Sequence, residues 1–520
     1  MNKYFYLLPM LSLPLQALTV ETRATHGVFY AGVEKQACLQ ILVKADASEA
    51  GKKISSLSFT TGKSSKKTDI TKARLYKSND QNHFSINAGE TTKSYELEAV
   101  PATSGSGTFS NLDVTLSAGD NYLWLAYDIA SNAKGSNKID GVCTKVRLDD
   151  GSETTPVARM GAYLEEKNAT RVYGTVYPFK YRVVPYYRTK WILGWGGHSL
   201  TSSHFKNYTD FIHFGYTVNE AGDVISQWDT REYTSVEDEN GEMVSVEIPG
   251  AGDKNNATAL AQCKSLRGSA KCNILAGLGH IAGGLSAFYR NCNGDREAMK
   301  KVARNIAKVL IDNDYDGVDI DWEYPGDNGN TVNQDWRYHT NLLADLREEL
   351  AGAGKTISIA SSVWYRTPWC DVSDQVDFLN TMSYDDTADN HASLWRFQYD
   401  CRDKCADTNG LHMPTIKIVG GLPFYTNRKR AIADQCGWSG VVSQNPNLSA
   451  STNEAMMKVG NNAATMHTFN GPNLIKEKAK WVKDNGYGGV MIWAAETDLP
   501  LTHKMSLGKA LFSVLKQTKR

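Results

Sequence analysis

The 520-residue chain has no excess of either charge: Lys plus Arg and Asp plus Glu both number 57, so the formal net charge is zero. That balance argues against nucleic acid as the main partner, because neutralising phosphates needs a basic surplus. The basic residues at the C-terminus, Lys516, Lys519 and Arg520, are read as a solvated tail. No apolar run reaches the ~20 residues that a helix needs to span a bilayer, so no membrane span is expected. Metal-ligand spacing is lacking too. Cys401 and Cys405 are spaced too loosely for a C-x-x-C signature, and neither a metal site nor a cofactor is expected. The nine cysteines (38, 143, 263, 272, 292, 370, 401, 405 and 436) are compatible with an oxidising compartment, with their pairing left open.

Residues 1–17 read as a secretory signal: Lys3 begins it, an apolar stretch from Tyr4 to Leu15 follows, and Leu15-Gln16-Ala17 gives a cleavage end. The competing reading is a buried first strand. Export to the periplasm, the cell surface or the medium is therefore expected. Residues 19–150 are poor in helical periodicity and rich in short alternating runs, such as Leu39, Ile41 and Val43, separated by Gly, Ser, Asn and Asp clusters. This is the texture of an all-β sandwich. Residues 151–180 are irregular and polar, and read as a linker.

From residue 181 to 520 the texture changes to apolar runs alternating with helical patterns, as in a parallel sheet. Eight candidate strands lie at 181–187, 210–216, 272–277, 316–325, 357–362, 378–384, 416–421 and 489–493. Helical stripes fit between them: one starts at the N-cap Asp295, one runs from about Gln334 to Gly352, one covers 474–483, and a closing one carries Leu507 and Leu511. The expectation is an α/β (β/α)8 barrel behind an all-β sandwich, with residues 426–470 as an excursion on the barrel's rim.

The most informative stretch is Asp316-Gly317-Val318-Asp319-Ile320-Asp321-Trp322-Glu323-Tyr324-Pro325. On a strand, Asp319, Asp321 and Glu323 share one face, and Val318, Ile320 and Trp322 the other. The apolar opposite face marks a buried strand and argues against a solvated or cation-binding acidic edge. Three acids in a row are costly to bury without partners. Carboxylates a few ångströms apart cannot all ionise, so one keeps its proton near neutrality. At the C-terminal end of a barrel strand, where such folds place their chemistry, a protonated carboxyl is what a general acid requires. Asp316 lies off this face and is read as structural.

These ten residues resemble the D-G-x-D-x-D-x-E signature of the glycoside hydrolase family 18 chitinases. Met382-Ser383-Tyr384-Asp385, Gly420-Gly421-Leu422-Pro423-Phe424-Tyr425 and Gly488-Gly489-Val490-Met491-Ile492-Trp493 resemble that family's motifs at the sixth, seventh and eighth strands, in the right order over residues 181–515. The resemblance implies a retaining, substrate-assisted glycosidase. By it, Glu323 protonates the glycosidic oxygen, Asp321 orients the substrate's 2-acetamido group, Asp319 is the electrostatic partner of Asp321, and Tyr384 hydrogen-bonds the acetamido oxygen. Asp385 lines the −1 subsite and Trp493 floors it, with Met382, Tyr216, Tyr324 and Tyr425 in the substrate-binding set. Trp195, Trp364, Trp369 and Phe424 are further candidate sugar-stacking rings. The third strand departs from the family's S-x-G-G, reading Ala276-Gly277-Leu278-Gly279-His280, which leaves His280 as a candidate support for the first two acids. After Tyr425 no large α+β insertion is evident, which favours a shallow cleft and endo-acting cleavage.

The partner implied is a polysaccharide or glycan containing N-acetylglucosamine, cut at β-1,4 bonds. A rival is an endo-β-N-acetylglucosaminidase acting on N-glycans of glycoproteins; Trp322, Tyr324-Pro325 and Trp493 favour chitin over it. A third reading, an inactive glycan-binding lectin, is disfavoured by the presence of Glu323. The segment from Ala118 to Ile129, followed by Gly141-Val142-Cys143, resembles the β-sandwich domain at the N-terminus of some bacterial sialidases and other secreted glycan-active proteins. It implies an accessory module and pulls toward host glycoconjugates.

Overall fold

The structure, a computed structural model, describes residues 18–25, 27–78, 84–86, 94–194, 200–279, 281–362 and 372–516. The expected signal at 1–17 lies outside these residues. So do Trp195, His280, Trp364, Trp369 and Cys370, all named above. No helix among the described residues is long and apolar enough to cross a membrane.

The N-terminal region folds as two facing sheets. One has six strands, ordered Val157–Ala158, Thr19–Ala24, Gln36–Ala45, Gly119–Ile129, Ile70–Ser78 and Ser94–Pro101; the other has five strands built around Lys53–Thr60 and Val142–Leu148. Alternation makes the core: Leu39, Ile41, Val43, Leu123, Leu125 and Tyr127 of the first sheet meet Ile54, Leu57, Phe59, Phe109 and Val146 of the second. The stretch 151–180 is not the irregular linker expected. Glu153–Thr154 and Val157–Ala158 extend the two sheets, Ala162–Glu166 is helical, and Gly174–Val176 pairs with Val28–Phe29 and Lys138–Ile139. Strands of two or three residues are too short to show a period in sequence.

Eight parallel strands then close a barrel: β1 (Arg182–Arg188), β2 (Asp210–Val218), β3 (Asn273–Leu278), β4 (Gly317–Asp321), β5 (Thr356–Ser361), β6 (Phe378–Thr381), β7 (Ile418–Pro423) and β8 (Gly489–Trp493). Pairing of β1 with both β2 and β8 completes the ring. Side chains separate by parity. Val184, Ile212, Leu275, Phe378, Val419 and Met491 fill the interior. Val183, Phe211, Ile274, Val318, Ile357 and Val490 face the surrounding helices. Asp295 caps the helical run as expected, accepting from the amides of Glu297 and Ala298, and Thr331 with Gln334 forms a capping box for Val332–Glu349.

The lower end of the barrel is plugged by a cation. Arg182 is fully buried and donates from Nη1 to Asp210 Oδ2 at 2.7 Å; Tyr177, Thr209 and Asn273 also donate to Asp210. Its guanidinium lies 3.8 Å from the Tyr177 ring centre and 4.0 Å from that of Phe378. Tyr30, just after Val28–Phe29 of the N-terminal region, enters this cluster. Its hydroxyl accepts from Arg182 at 2.8 Å and donates to the Asp377 carbonyl at 2.8 Å, and burial pushes its pKa up to about 12. The two domains therefore share one polar core. At the same end, Asp316 accepts from Arg267 and from the Ile274 amide.

Between β7 and β8 the excursion is an α+β module, contrary to the expectation that no large α+β insertion follows Tyr425, so that ground for a shallow cleft falls. The module has four strands, Tyr425–Arg428, Cys436–Gly437, Glu454–Met457 and Thr465–Thr468, and the helix Trp438–Gln444. The eight cysteines among the described residues are free thiols. Arg182→Met leaves the Asp210 carboxylate buried without its cation, at an expected cost of about 3–5 kcal/mol. Asp210→Asn in the same chain should restore part of that loss. Urea midpoints of the single and double variants check this, and a loss no larger than that of a surface substitution contradicts it.

Candidate active site

The acids of β4 descend into the barrel as parity requires, and their surroundings grade along the strand. Asp319 is fully buried and well partnered. Its Oδ2 accepts from Tyr186 of β1 at 2.5 Å, and its Oδ1 accepts from Ser358 of β5 at 2.6 Å and Asn380 of β6 at 3.1 Å. Burial still pushes its pKa up to about 6, with those three donors opposing. Next to it on β3 is Gly277, where a Cβ would meet Ile212 and Phe214; at Gly279 it would strike the Phe214 ring. Support for the first acid thus comes from Tyr186, Ser358 and Asn380, and the two glycines make room for a ring.

Asp321, one step up, is buried with Oδ1 unpartnered. Burial, the Glu323 and Asp319 charges and a hydrogen bond with Glu323 all hold its pKa well above the carboxylate range. Asp321 is therefore held toward its protonated form, in hydrogen bond with Glu323. Glu323, half-buried, stands at the mouth.

These two acids open into a cleft of about 490 Å³. Tyr186, Met491 and Trp493 lie on its β1 and β8 side, Met382, Tyr384 and Asp385 come from β6 and the loop after it, and Tyr324 and Tyr425 complete the set, with Ile432 and Gln435 from the excursion and Arg396 at the rim. Trp493 is half-buried and held edge-on by Tyr186 at 5.4 Å and Phe214 at 5.2 Å, which fixes its plane. Tyr384 packs edge-on to Tyr425 at 6.0 Å. Burial, then the charges of Asp321 and Asp385, keeps its phenol protonated. Tyr324 is likewise held neutral by burial and by Glu323. Non-prolyl cis peptides follow Glu323 and Trp493.

Of the ten residues singled out from sequence, nine gather here: Glu323, Asp321, Tyr384, Trp493, Asp385, Met382, Tyr324 and Tyr425 line the cleft, and Asp319 lies beneath it. Tyr216 is the exception and is corrected. It packs outside the barrel, its hydroxyl 3.1 Å from that of Tyr315. The cause is a register shift after Phe214, which pairs with Gly277 while Tyr216 pairs with Leu278, so Gly215 is an extra residue that turns Tyr216 onto the outer face. Phe424 is buried in that outer core as well. Sequence reasoning passed over Tyr186, Ser358, Asn380 and Met491. Each is an inward position of a correctly placed strand, and parity was the available signal.

Comparison with known proteins follows the same lines. The family description "Glycosyl hydrolases family 18" matches residues 184–498. An endochitinase of Manduca sexta is 26% identical over 218 residues, covering 37% of this chain and 38% of that protein. Endochitinase 1 of Metarhizium robertsii is 24% identical over 238 residues, covering 38% of this chain and 55% of its own. The chain thus spans about two fifths to just over half of these relatives. Among solved structures, chitinase ChiW of Paenibacillus sp. str. FPU-7 shares the fold at 15% identity and a TM-score of 0.50, over 97% of this chain and 43% of that one. With the match extending over more than half of its length, the chain belongs to glycosyl hydrolases family 18.

Proposed function

We propose that the chain is a secreted, retaining glycoside hydrolase of the chitinase type, cutting β-1,4 bonds next to N-acetylglucosamine with the substrate's own acetamido group as nucleophile. The observation that carries this reading is the hydrogen-bonded Asp321–Glu323 pair opening into a cleft that contains an edge-held Trp493. A pyranose stacked on Trp493 presents its anomeric carbon to these acids, and the apolar ring face suits the indole. Endochitinase relatives support the substrate class. The N-terminal sandwich, near residues 19–150, is read with it as an accessory module, and residues 1–17 as the export signal.

The steps follow from the site. Glu323 delivers its proton to the glycosidic oxygen as that bond to C1 breaks. The acetamido carbonyl oxygen bonds to C1 from the other face, giving an oxazolinium ion. Asp321, which in this scheme holds one proton in common with Glu323 and is left without it, then faces the positive N–H of that ring as an anion, a favourable interaction in a buried site. The Tyr384 hydroxyl donates to the acetamido oxygen and fixes its approach. Glu323, now a carboxylate, takes a proton from water as the water attacks C1 and reopens the ring with retention. Asp319 holds a second negative centre beneath Asp321 and sets its proton affinity.

Glu323→Gln should lower kcat on chitooligosaccharides by about 10²–10⁴-fold while leaving oligosaccharide binding in place; full activity would refute the acid's role. Asp321→Asn should act mainly on kcat, with KM little changed, because the charge it stabilises exists only in the transition state. The pH profile offers a further check. The Asp319 charge helps to hold the Asp321 pKa up, so removing it lets the shared proton leave earlier. In Asp319→Asn the basic limb of kcat/KM should move to lower pH, and an unmoved limb would exclude the coupling. Incubation with chitin oligomers beside a high-mannose glycoprotein, read by mass spectrometry, identifies the substrate: chitobiose release is expected, and glycan trimming alone would contradict the chitinase reading.

A further inference from the structure

One acid in the cleft stands apart from the line on β4. Asp385 follows β6 with φ of 58°, a left-handed conformation that few residues other than glycine adopt. Its Oδ1 accepts from the Tyr425 hydroxyl at 2.6 Å and from Asn427 Nδ2 at 2.5 Å. Its Oδ2 has no hydrogen-bond partner among the described residues, and Asp385 lines the cleft. His391 stands behind the pair, its Nδ1 3.6 Å from the same Oδ1 and 3.2 Å from Asn427 Nδ2. One oxygen is thus saturated by fixed donors and the other is left to the cleft.

Asn427 is fully buried and does not belong to the barrel. It sits on Tyr425–Arg428, the first strand of the α+β module, opposite Thr468. That module is fastened to the loop carrying Asp385 at several points. The His391 amide reaches Thr468 Oγ1 at 3.2 Å, and Asn390 Nδ2 reaches the Phe469 carbonyl at 3.2 Å. The Ala392 carbonyl accepts from Asn470, just after the module's last strand, at 2.9 Å, and from Lys478 Nζ of the helix that follows, Pro472–Asp484, at 2.8 Å. The distance between Asn427 and Asp385 is therefore set by two locked backbone segments and not by a single flexible side chain. An amide suits this task. It donates a hydrogen bond without cancelling the carboxylate's charge, as an Arg or Lys in its place would.

The consequence is visible in the acid itself. Burial would push the Asp385 carboxyl up, yet the bonds from His391, Tyr425 and Asn427 outweigh it and hold the group below the usual carboxylate range. The titratable groups around it are Tyr324 and Tyr384, which its charge helps keep protonated, Tyr425 and His391, with Glu323 across the cleft.

We propose that Asn427 is a positioning residue: seated by the α+β module, it clamps one oxygen of the Asp385 carboxylate so that the other is presented to a hydroxyl or amide donor of the bound sugar. The inference rests on the proposed hydrolysis only for the identity of that sugar. The module between β7 and β8 then completes the active site as well as enlarging its rim.

Asn427→Ala removes the 2.5 Å donor, and Tyr425→Phe removes the 2.6 Å donor to the same oxygen, so a folding failure in one still leaves the other. Two readouts are taken on the full chain. Carboxyl-carbon NMR of protein labelled at aspartate Cγ, with the Asp385 signal assigned by its loss in Asp385→Asn, gives the titration midpoint without turnover. The pH profile of kcat/KM on chitooligosaccharides gives the acid limb. Both variants should raise the Asp385 midpoint by about one pH unit, with activity falling most at the lowest pH, while the basic limb stays in place. A midpoint that does not move, with activity reduced equally at every pH, would make Asn427 a structural residue and overturn the proposal. Should the midpoint rise while the wild-type chain leaves chitooligosaccharides uncut, the clamp stands and the hydrolase reading falls.

Discussion

Lining carboxyl groups along the inner face of one strand is the constraint on which this structure turns. A barrel interior is dry, and each acid there must find donors, give up its charge or share a proton. Asp319 and Asp321 of β4 meet this demand differently. Asp319 at the bottom receives Tyr186, Ser358 and Asn380, one each from β1, β5 and β6. Asp321 has no such set and leans on Glu323. Satisfaction thus decreases toward the cleft, and the deficit at Asp321 holds its carboxyl toward the protonated form. A fully satisfied Asp321 would be a better structural residue and a poorer member of an acid pair.

The opposite end of the barrel treats its polar groups differently. Arg182, Asp210, Tyr177 and Tyr30 are saturated, buried and shared between two domains. The N-terminal region therefore contributes a floor to the barrel. Polar groups spent on stability below and left unsatisfied above divide the barrel into a structural end and a chemical end, as expected for this architecture.

How much of this was legible in the sequence depended on regularity. The eight strands follow from apolar runs alternating with helical stripes, and the inward face of β4 from period-two alternation, with Asp319, Asp321 and Glu323 standing where that rule puts them. Tyr216 was misplaced because an extra residue at Gly215 reverses parity, and no local signal announces a bulge. Parity makes Tyr186, Ser358 and Asn380 inward positions of their strands, but that these three meet at Asp319 is set by the register of the closed ring. The strands at 153–158 and 174–176 are too short to read, and the α+β module hides in a polar stretch whose apolar residues, such as Trp438 and Met457, are sparse. The donors that set Asp385 belong to that module, which is why Asn427 drew no notice from sequence alone.

The central claim is that the substrate supplies its own nucleophile to an acid pair that only moves protons. The most direct measurement is to cleave a partially deacetylated chitosan and identify, by mass spectrometric sequencing, the sugar at each newly formed reducing end. The account predicts N-acetylglucosamine at every new reducing end, since only that sugar carries the attacking carbonyl. Glucosamine appearing there at a comparable rate would contradict it and would require a nucleophile from the protein or from water.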